Sequence, residues 1–389
     1  MRPNEGGAIS DHKAGVAAID GTGVRHKPPA IEVSVVIVNY NGKSYVETCI
    51  NSILRSGYDK LEIIVVDNGS SDGSVDYFRR KCEGWRGKIE VISLSKNNGP
   101  AAARNRGARI ALGRYLCFLD NDTVVHPAWA REAIACFERE PQVGIIQCKL
   151  LLANDPRRID YVGEYLGQYG FLVQEAEGGE IDLGQHEVEK DILAAKSAGM
   201  FMRRDVFERV GGFDEDYFIY VEETDLGWRA WLAGSRARYL PSSIVYHEFG
   251  TSSIILGRIE NEYNAKYHGA KNYILTLLKN MGWRQALWTV PAHVIMWCGL
   301  AALLAYKRNW RPVMYIVRGI MWNVWNIRKT LRKRQVVQRT RTVSDSEIFP
   351  LIQKRRPMRY YINKAMSQRR VGNANGFVRP TESLREDEG

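Results

Sequence analysis

The chain has 389 residues, 45% of them hydrophobic, and a formal net charge of +11. That length admits one large domain or two, with a substantial core. The six cysteines (Cys49, Cys82, Cys117, Cys136, Cys148, Cys298) follow no zinc or Cys-x-x-Cys spacing, and the N-terminus has no signal-peptide core. Cys49, Cys117, Cys136 and Cys148 lie in apolar stretches and read as core thiols, which fits a reducing compartment. The charge is local. Residues 307–341 hold eleven Lys and Arg and no acid, so the remainder sums to zero. Such a run suits nucleic acid or an anionic membrane.

Residues 1–30 are Gly-rich and aperiodic and read as a disordered leader. Strands and helices then alternate. Apolar runs at 33–38, 61–66, 89–94, 115–119 and 143–151 read as buried strands. Residues 44–55, 100–112 and 127–139 read as helices, and another runs from the turn at 67–73 to about 81. Repeated βα units predict an α/β fold with a doubly wound, mostly parallel sheet. Residues 154–190 are Gly-rich and acidic and read as a β-ribbon or insertion. Regularity returns at 198–202 and 205–210, then a helix is expected at 222–233, short strands at 237–240 and 243–247, and a long helix at 260–280.

Residues 286–305 contain no charged side chain and are long enough to span a bilayer. Residues 312–327 are also apolar and carry Tyr315, Trp322 and Trp325, but Arg318 interrupts them. A single crossing would put Lys307, Arg308 and Arg311 on the far side, and a return would bury Arg318. Helices lying in the interface, or a re-entrant hairpin, avoid both penalties. The basic run at 328–341 would add attraction to an anionic surface. A soluble helical subdomain, packed on the rest of the chain or on a second subunit, is the alternative. Nucleic acid fits poorly, because the basic run adjoins a long uncharged apolar stretch. The division expected is a leader at 1–30, a catalytic domain at 31–282, membrane-associating helices and a basic segment at 283–341, and a polar tail at 342–389.

Four polar constellations follow predicted strands. Asn39, Tyr40 and Asn41 end the first, and Asp67 ends the second, where a carboxylate can accept from a nucleobase N–H or a ribose hydroxyl. Asp72 reads as a helix cap. Asn97-Asn98-Gly99-Pro100 opens the helix bearing Arg104, where small residues permit close approach and the guanidinium can meet a phosphate. Asp120-Asn121-Asp122 closes the fourth strand. Two carboxylates one residue apart at a strand's carboxyl end are costly unless a cation neutralises them. Ligands of open α/β sheets bind at that edge, so these turns should converge on one nucleotide-phosphate site.

The ordered set VVIVNYN, VVDNGSSDGS, NNGPAAARNRG, CFLDND and GGFDEDYFIYVEETDLGWR resembles the family 2 glycosyltransferases over about residues 33–250. The chain is most similar to bacterial and archaeal members that build cell-surface glycans, including rhamnosyltransferase-like ones. The resemblance implies a GT-A type fold, a nucleotide-sugar donor and a divalent metal (Mn2+ or Mg2+) on Asp122. It also implies inversion at the anomeric carbon and a general base in the acidic pair before Asp225-Leu226. That base is carried to Glu223, with Glu222 as the fallback; many relatives have Glu-Asp where this chain has Glu-Glu. His247 matches a histidine that some relatives use as a third metal ligand. Asn39, Tyr40, Asn41, Asp67, Asn98, Gly99, Arg104 and Asp120 would line the donor. Asp225 reads as complementing a helix dipole, and Trp228 and Trp231 as packing. The implied setting is the cytoplasmic face of the cell membrane, with a lipid-linked glycan acceptor and room for a homo-oligomer. A nucleotidyltransferase and a membrane-bound scaffold with a vestigial sugar-nucleotide site are the rivals. The first would show a Gly-rich, basic loop after strand one, of which Asn39 to Lys43 is a poor version.

Overall fold

A computed structural model describes residues 31–82, 89–176, 178–248 and 258–367. The expected leader at 1–30 and the end of the expected tail, 368–389, lie outside the described residues. Strands β1 (Val33–Asn39), β2 (Leu61–Asp67), β3 (Ile89–Ser93) and β4 (Tyr115–Asp120) pair in parallel in the order β3-β2-β1-β4. β1 is buried on both faces, and its period of two divides its side chains between two cores. Val36 joins Ile64, Val66, Ala101 and Ala103 on one side. Val33, Val35 and Ile37 join Val46, Cys49 and Ile50 on the other. The covering helices are α1 (Lys43–Arg55), α2 (Ser74–Cys82) and α3 (Pro100–Ile110). Small residues let α3 lie close to the sheet: a Cβ on Gly107 would come within 2.5 Å of Val36 Cγ1.

The chain continues through β5 (Thr123–Val125), α4 (Trp129–Arg139), β6 (Val143–Leu152), β7 (Asp155–Tyr161), β8 (Glu164–Leu166), β9 (Leu172–Gln174) and β10 (Lys190–Ile192). It then forms β11 (Met200–Arg203), α5 (Arg204–Arg209), α6 (Glu222–Leu232) and β12 (Arg236–His247). The full sheet has ten strands in the path β10-β12-β6-β11-β4-β1-β2-β3, with β5 on β12 and β7 on β6. It is mixed and of the doubly wound α/β class, and β11 runs antiparallel between β4 and β6. The two short strands expected at 237–240 and 243–247 are one strand, with a register shift between Leu240 and Ile244. Cys49, Cys117, Cys136 and Cys148 are buried and free.

Among the described residues six helices follow: α7 (Arg258–Asn280), α8 (Trp283–Tyr306), α9 (Trp310–Trp325), α10 (Ile327–Thr340), α11 (Asp345–Ile352) and α12 (Met358–Ser367). α8 and α9 pack on α7 through Ala270, Trp297, Ala301 and Ile316. Their outer faces leave Leu287, Trp288, Ile295, Tyr306, Met314 and Trp325 exposed. Part of the expected polar tail is ordered. α11 begins with a capping box at Ser344 and Glu347, and Lys354 N donates to Leu166 O at 2.9 Å.

The basic run at 328–341 differs from the uniform anionic-surface patch expected. Lys329 pairs with Asp216 at 2.6 Å, and Lys333 pairs with Asp214 and Asp216. Arg334 donates to Leu278 O and Met281 O, and Arg341 to Asn280 O. Four of the seven cations are thus engaged within the chain, neutralising the half-buried Asp214 and Asp216 carboxylates and satisfying the last carbonyls of α7. Arg328, Arg332 and Arg339 remain outward.

Candidate active site

The strand register brings the polar turns together. Asn39 lies opposite Asp67, and Val38 opposite Asp120. Asn39 Nδ2 donates to Asp67 Oδ2 at 2.9 Å, and Asn39 Oδ1 accepts from Asn121 Nδ2 at 2.8 Å. Asp67 is fully buried and also accepts from Ser70 N at 2.9 Å. Each of its oxygens keeps a lone pair for a further donor. Asn41 takes a left-handed φ of 51°, and its Oδ1 accepts from Ser71 N at 2.8 Å. Tyr40 beside it is half-buried. Asp72 accepts from Ser74 N at 3.0 Å, as a cap of α2. Asn68 joins the β2 and β3 turns by accepting from Asn98 N at 3.0 Å and donating to Asn97 Oδ1 at 3.0 Å. Gly99, at φ 83°, lies so close to Phe218 that a Cβ would come 2.6 Å from its carbonyl oxygen.

Arg104 departs from expectation. Its guanidinium does not stand open to a phosphate; it is buried and bridges Glu222 Oε1 at 2.9 Å and Asp120 Oδ1 at 3.1 Å. Glu223 Oε1 lies 3.9 Å from the same group. Three carboxylates supply an attraction that would otherwise be unmatched in that interior. Burial, and then the neighbouring Glu223 carboxylate, push Glu222 up to about 8 despite Arg104. Its Oε2 has no partner among the described residues. Glu223 is the more accessible of the pair and is aimed by Ser197, whose N donates to Oε1 at 2.8 Å and whose hydroxyl donates to the same atom.

β5 and the end of β12 bring His247 beside Thr123. His247 Nε2 then lies 3.5 Å from Asp122 Oδ1, while Nδ1 is 2.8 Å from Asp160 Oδ2. Burial would lower the imidazole pKa, but bonds to Asp122 and Asp160 hold it up at about 10. Ligand atoms from Asp120, Asp122 and His247 all lie within 4.8 Å of one another. A carboxylate behind one ring nitrogen, with the other nitrogen facing further carboxylates, is the donor arrangement a divalent cation takes. The residues present therefore fit such an ion.

The GGFDED stretch and α6 have a role that the sequence reading did not give them. Asp214 pairs with Lys279 at 2.6 Å and with Lys333. Asp225 pairs with Arg229 at 2.7 Å and Lys279 at 2.8 Å, beyond the dipole role expected of it. These acids bind α7 and α10 to the catalytic region. Trp228 and Trp231 are buried packing residues, as expected. Residues 218–221, which lead into α6, contain Phe218, Tyr220 and Val221 at φ 64°, 67° and 69°. Each such residue costs about 1–3 kcal/mol. Asp160 and Ser197 were missed because their partners lie 87 and 26 positions away and no local pattern marks them.

Comparison with known proteins bears on the family and the fold. Residues 34–211 match the family described as Glycosyl transferase family 2. The pre-mycofactocin glycosyltransferase of Mycobacterium tuberculosis is 31% identical over 243 residues, covering 60% of this chain and 47% of that protein. The O-antigen biosynthesis protein RfbC of Myxococcus xanthus is 28% identical over 226 residues, 56% of this chain and 17% of that one. This chain thus spans about half the length of the first relative and less of the second. The crystal structure of GalNAc-T7 with UDP, GalNAc and Mn2+ aligns with a TM-score of 0.54 at 16% identity, covering 77% of this chain and 57% of that one. That likeness concerns the fold, which is of the GT-A type.

Proposed function

Because residues 34–211 belong to glycosyl transferase family 2, we propose that this chain moves a sugar from a nucleotide-sugar donor to a hydroxyl of a glycan acceptor, with inversion. The observation that carries this reading is Arg104. It ties Asp120, on the side of the candidate cation site, to the Glu222–Glu223 pair, so donor-side and base-side carboxylates meet on one guanidinium.

Asn39, Tyr40, Asn41, Asp67, Asn98, Gly99 and Asp120 line the donor, with Asp67 accepting from the base or ribose. Arg104 acts here by holding carboxylates rather than by binding phosphate. Asp122 and His247 would hold a divalent cation, Mn2+ or Mg2+, which when bound neutralises charge on the departing diphosphate. Glu223 takes the proton of the acceptor hydroxyl. The oxygen forms its bond to the anomeric carbon on the face opposite the nucleotide as the bond to diphosphate breaks. One base suffices, and the configuration inverts.

The acceptor in this reading is lipid-linked, and the chain works at the cytoplasmic face of the cell membrane. Support comes from α8, a 24-residue helix apolar enough to cross a bilayer, of whose most apolar stretch only 17% is buried. Relatives such as the O-antigen biosynthesis protein fit a role in surface glycans.

The full chain is assayed with a panel of nucleotide-sugars, with Mn2+, Mg2+ or a chelator. One donor should be consumed with release of nucleoside diphosphate, and both chelator and Asp122→Ala should abolish transfer with far-UV circular dichroism unchanged. Full turnover in chelator would remove the cation from the reading, and a requirement for a nucleoside triphosphate would favour a nucleotidyltransferase. Proton NMR of fresh product reads the anomeric configuration; retention would sink the single displacement.

A further inference from the structure

Residues 218–221 run from donor-lining Gly99 to the base. At one end the Phe218 carbonyl lies against Gly99; at the other Val221 caps α6, whose first residues are Glu222 and Glu223. Three of these four residues are left-handed without being glycine, and Val221 is β-branched. Such backbone persists only where its surroundings impose it.

One side chain reaches along this segment. Asn272 on α7 is fully buried, and its Nδ2 lies 3.1, 2.8 and 2.7 Å from the carbonyl oxygens of Tyr217, Ile219 and Tyr220. Lys271 Nζ adds Asp216 O at 2.5 Å and Tyr217 O at 3.4 Å. The Lys271 carbonyl in turn accepts from Asn323 Nδ2 on α9 at 3.0 Å. The two N–H bonds of an amide can serve a cluster of carbonyls; a carboxylate of the same shape has none and would repel them.

We propose that Asn272 is a positioning residue for sugar transfer, holding the left-handed segment 218–221 so that Glu223 points at the acceptor. The inference rests on Glu223 being the base. Asn272 bonds Tyr217, Ile219 and Tyr220 and not Phe218, the residue of the segment that meets donor-lining Gly99, so its loss acts more on turnover than on donor binding. A side chain that only filled the space between α7 and the catalytic domain would lower the melting temperature and leave turnover below that temperature intact.

The test uses the full chain with Asn272→Ala and Asn272→Asp, assayed well below their melting temperatures. Turnover should fall by roughly 10- to 100-fold, the scale of a small misplacement of a reacting group, with donor KM within about twofold. Asn272→Ser keeps one donor and should fall in between; it also serves if the other variants fold poorly. Adding Val221→Gly to Asn272→Ala should restore turnover by about threefold or more, because glycine takes that φ without steric cost. Normal turnover in folded Asn272→Ala overturns the proposal. So does a loss that Val221→Gly leaves unrelieved, since the amide would then not act through the backbone. Glu223→Gln is run alongside: if it turns over normally the base assignment fails, whereas an inactive Glu223→Gln beside a normal Asn272→Ala defeats the positioning role alone.

Discussion

Arg104 Nη1 donates to Glu222 Oε1 at 2.9 Å across 118 positions of sequence. The pair sits in the interior with side-chain exposures of 6% and 4%, so the guanidinium has no water to fall back on and relies on Glu222, Asp120 and Glu223. Arg104→Met leaves Glu222, Asp120 and Glu223 facing one another without a cation. Removing one partner of a buried pair costs about 3–5 kcal/mol. Urea unfolding should show a loss of that order, with transfer lost as well. Arg104→Met with Glu222→Met should regain part of the stability but not the activity. An Arg104→Met protein as stable as the parent would show that the bridge contributes nothing.

Glu223→Gln should lower turnover by roughly 10²-fold or more while donor affinity changes little, since a general base acts on the acceptor. Glu222→Gln should be milder, because Glu222 is buried against Arg104 and already holds its proton up to about 8. Rapid-quench single turnover separates the two. Were Glu222→Gln the more damaging, the base would be Glu222.

Asp214 gives an acid limb to stability. Burial opposes its ionised form, but Lys279 and Lys333 outweigh that and hold its carboxyl below the ordinary range. A depressed folded pKa contributes stability that is complete above the unfolded value of about 3.9 and lost as pH falls through the folded value. Thermal midpoints should therefore decline from about pH 4 downward. Asp214→Asn should lower the midpoint at neutral pH and flatten that decline. An acid limb of unchanged slope in Asp214→Asn would show that other carboxylates set it.

Membrane attachment should depend on apolar side chains more than on the basic run. Trp288 is 81% exposed and Trp325 is 73% exposed, whereas four of the seven cations between 328 and 341 are engaged within the chain. In flotation with anionic vesicles, Trp288→Ser with Trp325→Ser should release more protein than Arg328→Gln with Arg332→Gln. Release by high salt alone would reverse that order. A parent chain that stays with the aqueous phase would end the membrane reading.

The converging turns were legible because a buried parallel strand announces both itself and its carboxyl end, as Tyr115 to Asp120 does. Glu222 and Glu223 were legible only through resemblance, since acids at a helix start have an ordinary explanation. Arg104 was placed correctly on its helix but assigned the wrong partner: local sequence shows which face a guanidinium occupies and not which distant carboxylates arrive there. The engagement of Lys329, Lys333, Arg334 and Arg341 within the chain was hidden for the same reason. Charge counting treats a run as solvated, while Asp214 and Asp216, more than a hundred positions earlier, engage Lys329 and Lys333, two of its seven cations.

The register shift in β12 sets how this gene tolerates small insertions and deletions. Leu240 pairs with Cys148 and Ile244 with Lys149, so Pro241, Ser242 and Ser243 form a bulge between adjacent partners. Pro241, which has no N–H to give a ladder, suits that place. Ser243 is buried and donates to Trp129 O at 2.8 Å, whereas Ser242 is exposed, so loss of the Ser242 codon shortens the bulge and leaves the pairing of residues 244–247 intact. Loss of one codon among 244–246 moves every later side chain to the opposite face, exchanging the imidazole beside Asp122 for whatever follows it. A scan of in-frame single-codon deletions along β12 should therefore differ sharply between neighbours, tolerated at Ser242 and silencing at 244–246.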